Sequence, residues 1–109
     1  MICRIWHGWT TLQNADAYDW YLQKELFPKV QRELAPKGYL GFHLLRLKSA
    51  TDVEFVTMLW FESLDSVKGF AGQNYSTPVI SDKAKSLLLR FADRVEHYEL
   101  SGSSFPIFK

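Results

Sequence analysis

Cysteine occurs once in these 109 residues, as Cys3, so the chain has no intramolecular disulfide and no multi-cysteine metal site. A surplus of either charge is also missing. Lys+Arg 13 against Asp+Glu 12 leaves a net charge of +1, which gives no electrostatic reason to bind nucleic acid or an anionic membrane. No apolar run approaches the roughly 18 residues of a membrane span. The start, Met1-Ile2-Cys3-Arg4, lacks the charged, apolar and small-residue segments of a secretory signal. These absences predict a soluble, cytoplasmic protein with neither nucleic acid nor membrane as partner. Repeats, low-complexity tracts and interior linkers are missing too, so the length predicts one domain over residues 1–100 and a short tail over 101–109. No G-x-S-x-G, H-E-x-x-H, G-x-G-x-x-G or P-loop spacing occurs. The lone G-x-x-G of Gly38 and Gly41 reads as a helix stop followed by a strand bend.

What the chain does have is rings: 4 Trp, 5 Tyr and 8 Phe, or 16% of all residues. That is more apolar surface than one small core requires. From Ile2 to Thr10, Cys3, Ile5, His7 and Trp9 alternate with Ile2, Arg4, Trp6 and Gly8. Both sets carry large apolar groups, which predicts a strand covered on both faces. Tyr18, Leu22, Leu26, Val30 and Leu34 recur every fourth residue and form a helical stripe, with Asn14 placed to cap the helix. Pro28 lies within the stripe; it removes a hydrogen bond to the Lys24 carbonyl, so a kink or split is expected there. Tyr39–Lys48 and Val53–Glu62 read as two strands joined by a tight connection, hence an antiparallel hairpin. Ser63 is placed to cap a short helix through Val67 and Phe70. A second helical piece is expected from Asp82 to Phe91, and a last strand from Asp93 to Leu100. The apolar Phe105, Ile107 and Phe108 predict that the tail docks.

The order β-α-β-β-α-β predicts an α+β, ferredoxin-like antiparallel sheet with helices on one side. Helices can cover only one face of such a sheet. Val56, Met58 and Trp60 then lie on a face this chain does not cover, which predicts a homodimer joined sheet to sheet.

The chain resembles the antibiotic biosynthesis monooxygenase superfamily of small dimeric α+β barrels. The resemblance runs from Ile2 to about Leu100. It rests on Trp6-His7-Gly8, on Gly38 to Arg46, on Val53-Glu54-Phe55-Val56-Thr57, on Phe61-Glu62-Ser63 leading into Val67 and Phe70, and on Val95-Glu96-His97-Tyr98-Glu99. It implies a pocket between helices and sheet, separate in each protomer. Relatives include cofactor-independent oxygenases of polycyclic phenols, haem-degrading enzymes and a small-molecule isomerase. Against the family pattern, this chain has Phe61 where many members carry tryptophan, and Thr57 where the cofactor-free oxygenases place an amide. No histidine stands between Ser63 and Phe91, where the haem-degrading members carry their iron ligand.

The expected activity is therefore cofactor-independent oxygenation of a small aromatic molecule, phenolic or anthrone-like. His7 or His97 would serve as base, both being on strands expected to neighbour one another, with Tyr98 and Thr57 orienting the substrate. Trp6, Tyr18, Phe55 and Phe61 would form the apolar walls. His43, on an outer strand, reads as structural. Arg46 and Arg90 read as solvated or ion-paired, and Cys3 as an inert buried thiol. The competing class is a non-catalytic dimeric barrel that binds a small aromatic. An RNA-recognition domain shares the element order, but the third strand lacks its basic-glycine-aromatic pattern.

Overall fold

The computed structural model describes residues 1–104. Its first strand, β1 (Ile2–Thr11), is central and pairs antiparallel with β3 (Asp52–Phe61) along its whole length, from Ile2 opposite Phe61 to Thr11 opposite Asp52. On the other side of β3 lies β2 (Tyr39–Lys48). The β2–β3 hairpin turns on Ser49, whose Oγ accepts hydrogen bonds from the amides of Thr51 (3.2 Å) and Asp52 (3.1 Å). The expected ferredoxin-like α+β plan is thus present, and the described residues form a five-stranded sheet.

The last strand differs from expectation. The helix expected from Asp82 to Phe91 stops early: α4 is Asp82–Leu87, and the chain turns extended at Leu88 (φ −89°, ψ 139°) to form β4 (Leu88–Phe91). A second short strand, β5 (Glu96–Glu99), replaces the continuous one expected from Asp93 to Leu100. Both lie along the same edge of β1, β4 beside Gly8–Thr10 and β5 beside Ile2–Ile5. The cause is local packing. Leu88 leans over the bare Gly8, where a β-carbon would stand 3.1 Å from its Cδ2. The missing β-carbon leaves room for Leu88, and Leu88–Phe91 pairs with β1 there, with a register shift between Trp9 and Thr10.

The helical layer begins with α1 (Ala15–Tyr21). Asn14 does not cap it through its side chain, contrary to expectation. Its amide is tied to Thr11 Oγ1 (3.0 Å), while its Nδ2 reaches across to the Leu87 carbonyl (3.4 Å). Pro28 disrupts the helix where expected. A π-helical turn over Leu22–Leu26 precedes it, with the Phe27 amide bonded five residues back to the Leu22 carbonyl. The α-helix then resumes as α2 (Phe27–Leu34). Gly38 ends this run in the left-handed region (φ +100°), where a side chain would collide with Ser66. Ser63 caps α3 (Leu64–Ala71) as expected, its side chain accepting from the Ser66 amide at 3.2 Å.

The core lies between these helices and one face of the sheet, where Tyr18, Val53, Phe55, Phe61 and Val67 are fully buried. No helix among the described residues is long and apolar enough to cross a membrane. The expected docking of Phe105, Ile107 and Phe108 falls outside the described residues.

Candidate active site

Strand alternation sorts the expected site residues other than the helical Tyr18 onto one face or the other. Ile2, Arg4, Trp6 and Gly8 of β1 lie beside Phe61, Leu59, Thr57 and Phe55 of β3 on the helix-covered face. His97 joins that face opposite Arg4. Cys3, Ile5, His7 and Trp9 lie on the open face with Trp60, Met58, Val56 and Glu54. Tyr98, opposite Cys3, joins them.

On the helix side is a cavity of about 290 Å³, bounded by Trp6, Thr57 and Leu59 on the sheet and by Tyr18, Leu22 and Phe27 on the helices. The segment Pro78–Ser81 also lines it. Of the residues expected to bind an aromatic ligand, Trp6, Tyr18 and Thr57 line this space. Phe55 and Phe61 stand behind it as core. Phe55 meets the Tyr18 ring edge-on at 4.9 Å, and Phe61 meets Tyr39 the same way at 5.6 Å. Trp6 is fixed by a hydrogen bond from its Nε1 to the Ala92 carbonyl, 2.7 Å. The Tyr18 phenol is pushed above its ordinary pKa by burial and by the nearby Tyr21, so it stays protonated.

The expected catalytic trio does not assemble. His7 donates from Nδ1 to Glu54 Oε2 at 2.8 Å, wholly on the open face. Tyr98 is 52% exposed on that same face. Only His97 is on the cavity side. β1 and β5 do pair as neighbours, but His7 and His97 differ in parity along the ladder, and parity decides the face. His97 Nε2 stands 3.0 Å from Arg4 Nη1. A guanidinium has no acceptor, so Arg4 donates and His97 accepts, leaving the imidazole proton on Nδ1. Burial, and then the charge of Arg4, hold the His97 pKa below its ordinary value, consistent with a neutral ring.

The residue that sequence reasoning passed over is Arg4. It is only 4% exposed and lines the cavity. Besides His97, it donates from Nη1 to the Tyr75 carbonyl (2.6 Å) and from Nη2 to the Thr77 carbonyl (3.3 Å). Phe70 lies against its guanidinium at 5.4 Å. Burial lowers its pKa to about 10, which keeps it charged at neutral pH. The signal was a lone charge at an alternate position between Ile2 and Trp6, on a strand read as covered on both faces.

The remaining basic and thiol groups behave as expected. Arg46 pairs with Asp19 (2.9 Å) and Asp16 (3.3 Å), and Arg90 with Asp52 (3.0 Å). Burial pushes the Cys3 thiol up to about 11, a poor nucleophile. His43, on β2, accepts at Nδ1 a hydrogen bond from Trp60 Nε1, 2.9 Å. Among the described residues, no cluster of three His, Cys, Asp or Glu side chains is placed to hold a metal ion.

No family model and no curated protein matches the sequence. The fold, however, matches a crystal structure from Bacillus cereus whose protein is provisionally named an antibiotic biosynthesis monooxygenase. The TM-score is 0.63, over 96% of this chain and 97% of that one, at 12% sequence identity. The resemblance first read from short sequence segments is thereby met by near-complete structural overlap. At that identity the match speaks for architecture: this chain has the α+β fold of that monooxygenase-named protein.

Proposed function

We propose that the chain is a cofactor-independent monooxygenase of a small aromatic molecule, phenolic or anthrone-like, bound in the helix-side cavity. The observation that carries this is the cavity itself, a space walled by Trp6, Tyr18, Phe27 and Phe70 with few polar groups among its apolar lining. Rings around a small number of placed polar atoms suit a flat aromatic. Thr57, across the sheet ladder from Trp6, offers a hydroxyl to orient it.

For an anthrone-like substrate the reaction needs no added reductant. Transfer of a proton from the ring methylene to water leaves a carbanion, which gives its electrons to dioxygen and forms a carbon–oxygen bond. Protonation gives a hydroperoxide. Loss of the second methylene proton with cleavage of the O–O bond then yields the carbonyl and water. One oxygen atom enters the product and the other leaves as water, so the four electrons balance. The protein's part is to hold the ring, stabilise the anion and keep bulk water away from it. His97 acts from behind as a positioning residue, because its Nε2 lone pair is engaged by Arg4.

A second copy on the open face completes the proposed assembly. Leu45 and Leu47 are exposed there at 53% and 66%, beside the half-buried Ile5, Val56 and Met58. Such a surface favours a self-complementary two-fold contact. The test is oxygen uptake against a panel of phenols and anthrones. Stoichiometric uptake with quinone formation is expected. Binding of the same compounds without uptake would instead make the chain a non-catalytic aromatic-binding barrel.

A further inference from the structure

Arg4 is the one charged residue buried among the described residues, and it forms no ion pair with any carboxylate among them. Its five N–H donors can be counted. Two on Nη1 meet the Tyr75 carbonyl and His97 Nε2, and one on Nη2 meets the Thr77 carbonyl. One on Nε and one on Nη2 have no acceptor among the described residues. Every acceptor already in place is neutral, so the positive charge itself is uncompensated. A buried charge in that condition is costly unless a counter-charge arrives.

The cavity supplies no such counter-charge. Its lining contains two cations, Arg4 and the exposed Lys29, and no Asp or Glu. Its other side-chain polar groups include the hydroxyls of Thr57 and Ser81. Ser81 is already committed, bonded to the Tyr21 hydroxyl at 2.7 Å and accepting from the Ala84 amide at 3.1 Å. Thr57, the Tyr18 hydroxyl and the two remaining Arg4 donors are left to meet a ligand.

We infer that Arg4 is the oxyanion-binding residue of the cavity, and that the ligand is an aromatic whose ring oxygen binds as phenolate or enolate on the free Nε and Nη2 donors. A guanidinium offers two parallel donors with fixed geometry, which suits such an oxygen better than a point charge would. This deepens the proposed oxygenase reading and rests on it. The site then needs no dedicated strong base, because it lowers the pKa of the substrate's own proton and holds the anion that reduces dioxygen. His97 and the Tyr75 and Thr77 carbonyls fix the guanidinium from the other side.

The rival role for Arg4 is purely structural, as a pin that ties the 75–77 segment to β1. The two roles predict opposite signs for one observable. An apolar cavity raises the pKa of a bound phenol by desolvation, whereas a facing guanidinium lowers it. The probe is 4-nitrophenol, whose phenolate is read by visible absorbance, with nitrobenzene as its neutral counterpart. In the wild-type protein the bound phenol is expected to ionise at least one unit lower than in water, which corresponds to about tenfold tighter binding of the anion than of the neutral form. Arg4→Met is expected to abolish that shift and Arg4→Lys to restore part of it. Should Arg4→Met not fold, the sign in the wild-type protein still decides. A bound phenol whose pKa rises, or nitrobenzene binding as tightly as nitrophenolate, would overturn the inference and leave the aromatic cavity standing. Failure of both probes and of larger phenols to bind would overturn the cavity reading along with it.

Discussion

On β3, Phe55, Thr57 and Leu59 turn toward the helices and are buried, while Val56 and Met58, one residue along, turn the other way and keep part of their surface open. The two faces share strands and a similar apolar character. They differ in their polar groups. The helix face carries a buried, unneutralised guanidinium beside a cavity; the open face carries a paired histidine and carboxylate, His7 and Glu54, among rings and aliphatics. A charge held without its counter-charge fits a small anionic ligand. A hydrogen-bonded pair amid exposed apolar groups fits a protein surface. The same alternation that builds the sheet thus separates the face proposed to hold a ligand from the face proposed to meet a second copy.

The comparison can be broken most severely on the helix side. Phe55→Ala removes a fully buried ring packed on Tyr18 and should cost about 3–5 kcal/mol of stability, read from denaturant unfolding. A loss under about 1 kcal/mol would mean that the core is not where the structure puts it. On the partner side, Met58→Lys should convert a two-chain mass to one chain in light scattering at low micromolar concentration, because an unpaired charge is not tolerated within such a contact. An unchanged dimer would place the twin elsewhere.

Finer tests separate neighbours on one strand. Thr57→Val should slow oxygen uptake about tenfold through loss of one hydrogen bond to the substrate. His7→Gln, on the opposite face, should leave turnover intact. The reverse pattern would return the chemistry to the open face.

The smallest effect is on pH. The native His97 pKa lies below its ordinary value because of burial and Arg4. The unfolded chain therefore binds this proton more readily than the native one. Stability should be complete above the ordinary histidine range, fall as pH drops through it, and level off below the depressed native pKa. His97→Gln should flatten that fall in thermal melts across the acid range. An equally steep fall in the variant would assign the dependence to another group.

Much of the fold was legible because it is local. The period-four stripe of Tyr18 to Leu34, the Ser63 cap, the Ser49 turn and the break at Pro28 each follow from short-range rules. The division of the last strand was not legible, because the room that Leu88 occupies is left by Gly8, which is remote in sequence. The walls of the site were partly readable: Trp6, Tyr18 and Thr57 line the cavity, with Phe55 and Phe61 one layer behind. Its polar chemistry was not. His7 and His97 drew notice as titratable groups on neighbouring strands, but which face each took depended on the register between β1 and β5. Arg4 looked like an ordinary strand charge until the tertiary fold buried it.

The most direct test of the two-sided account is a two-dimensional amide NMR titration with a flat phenol such as 1-naphthol, read at the four tryptophan indole N–H signals. Trp6 lines the cavity, Trp9 and Trp60 belong to the open face, and Trp20 is exposed on α1. On binding, the Trp6 signal should move while those of Trp9, Trp60 and Trp20 stay in place. Movement of Trp9 and Trp60 with Trp6 unperturbed would put the ligand on the other side of the sheet and contradict the two-sided account.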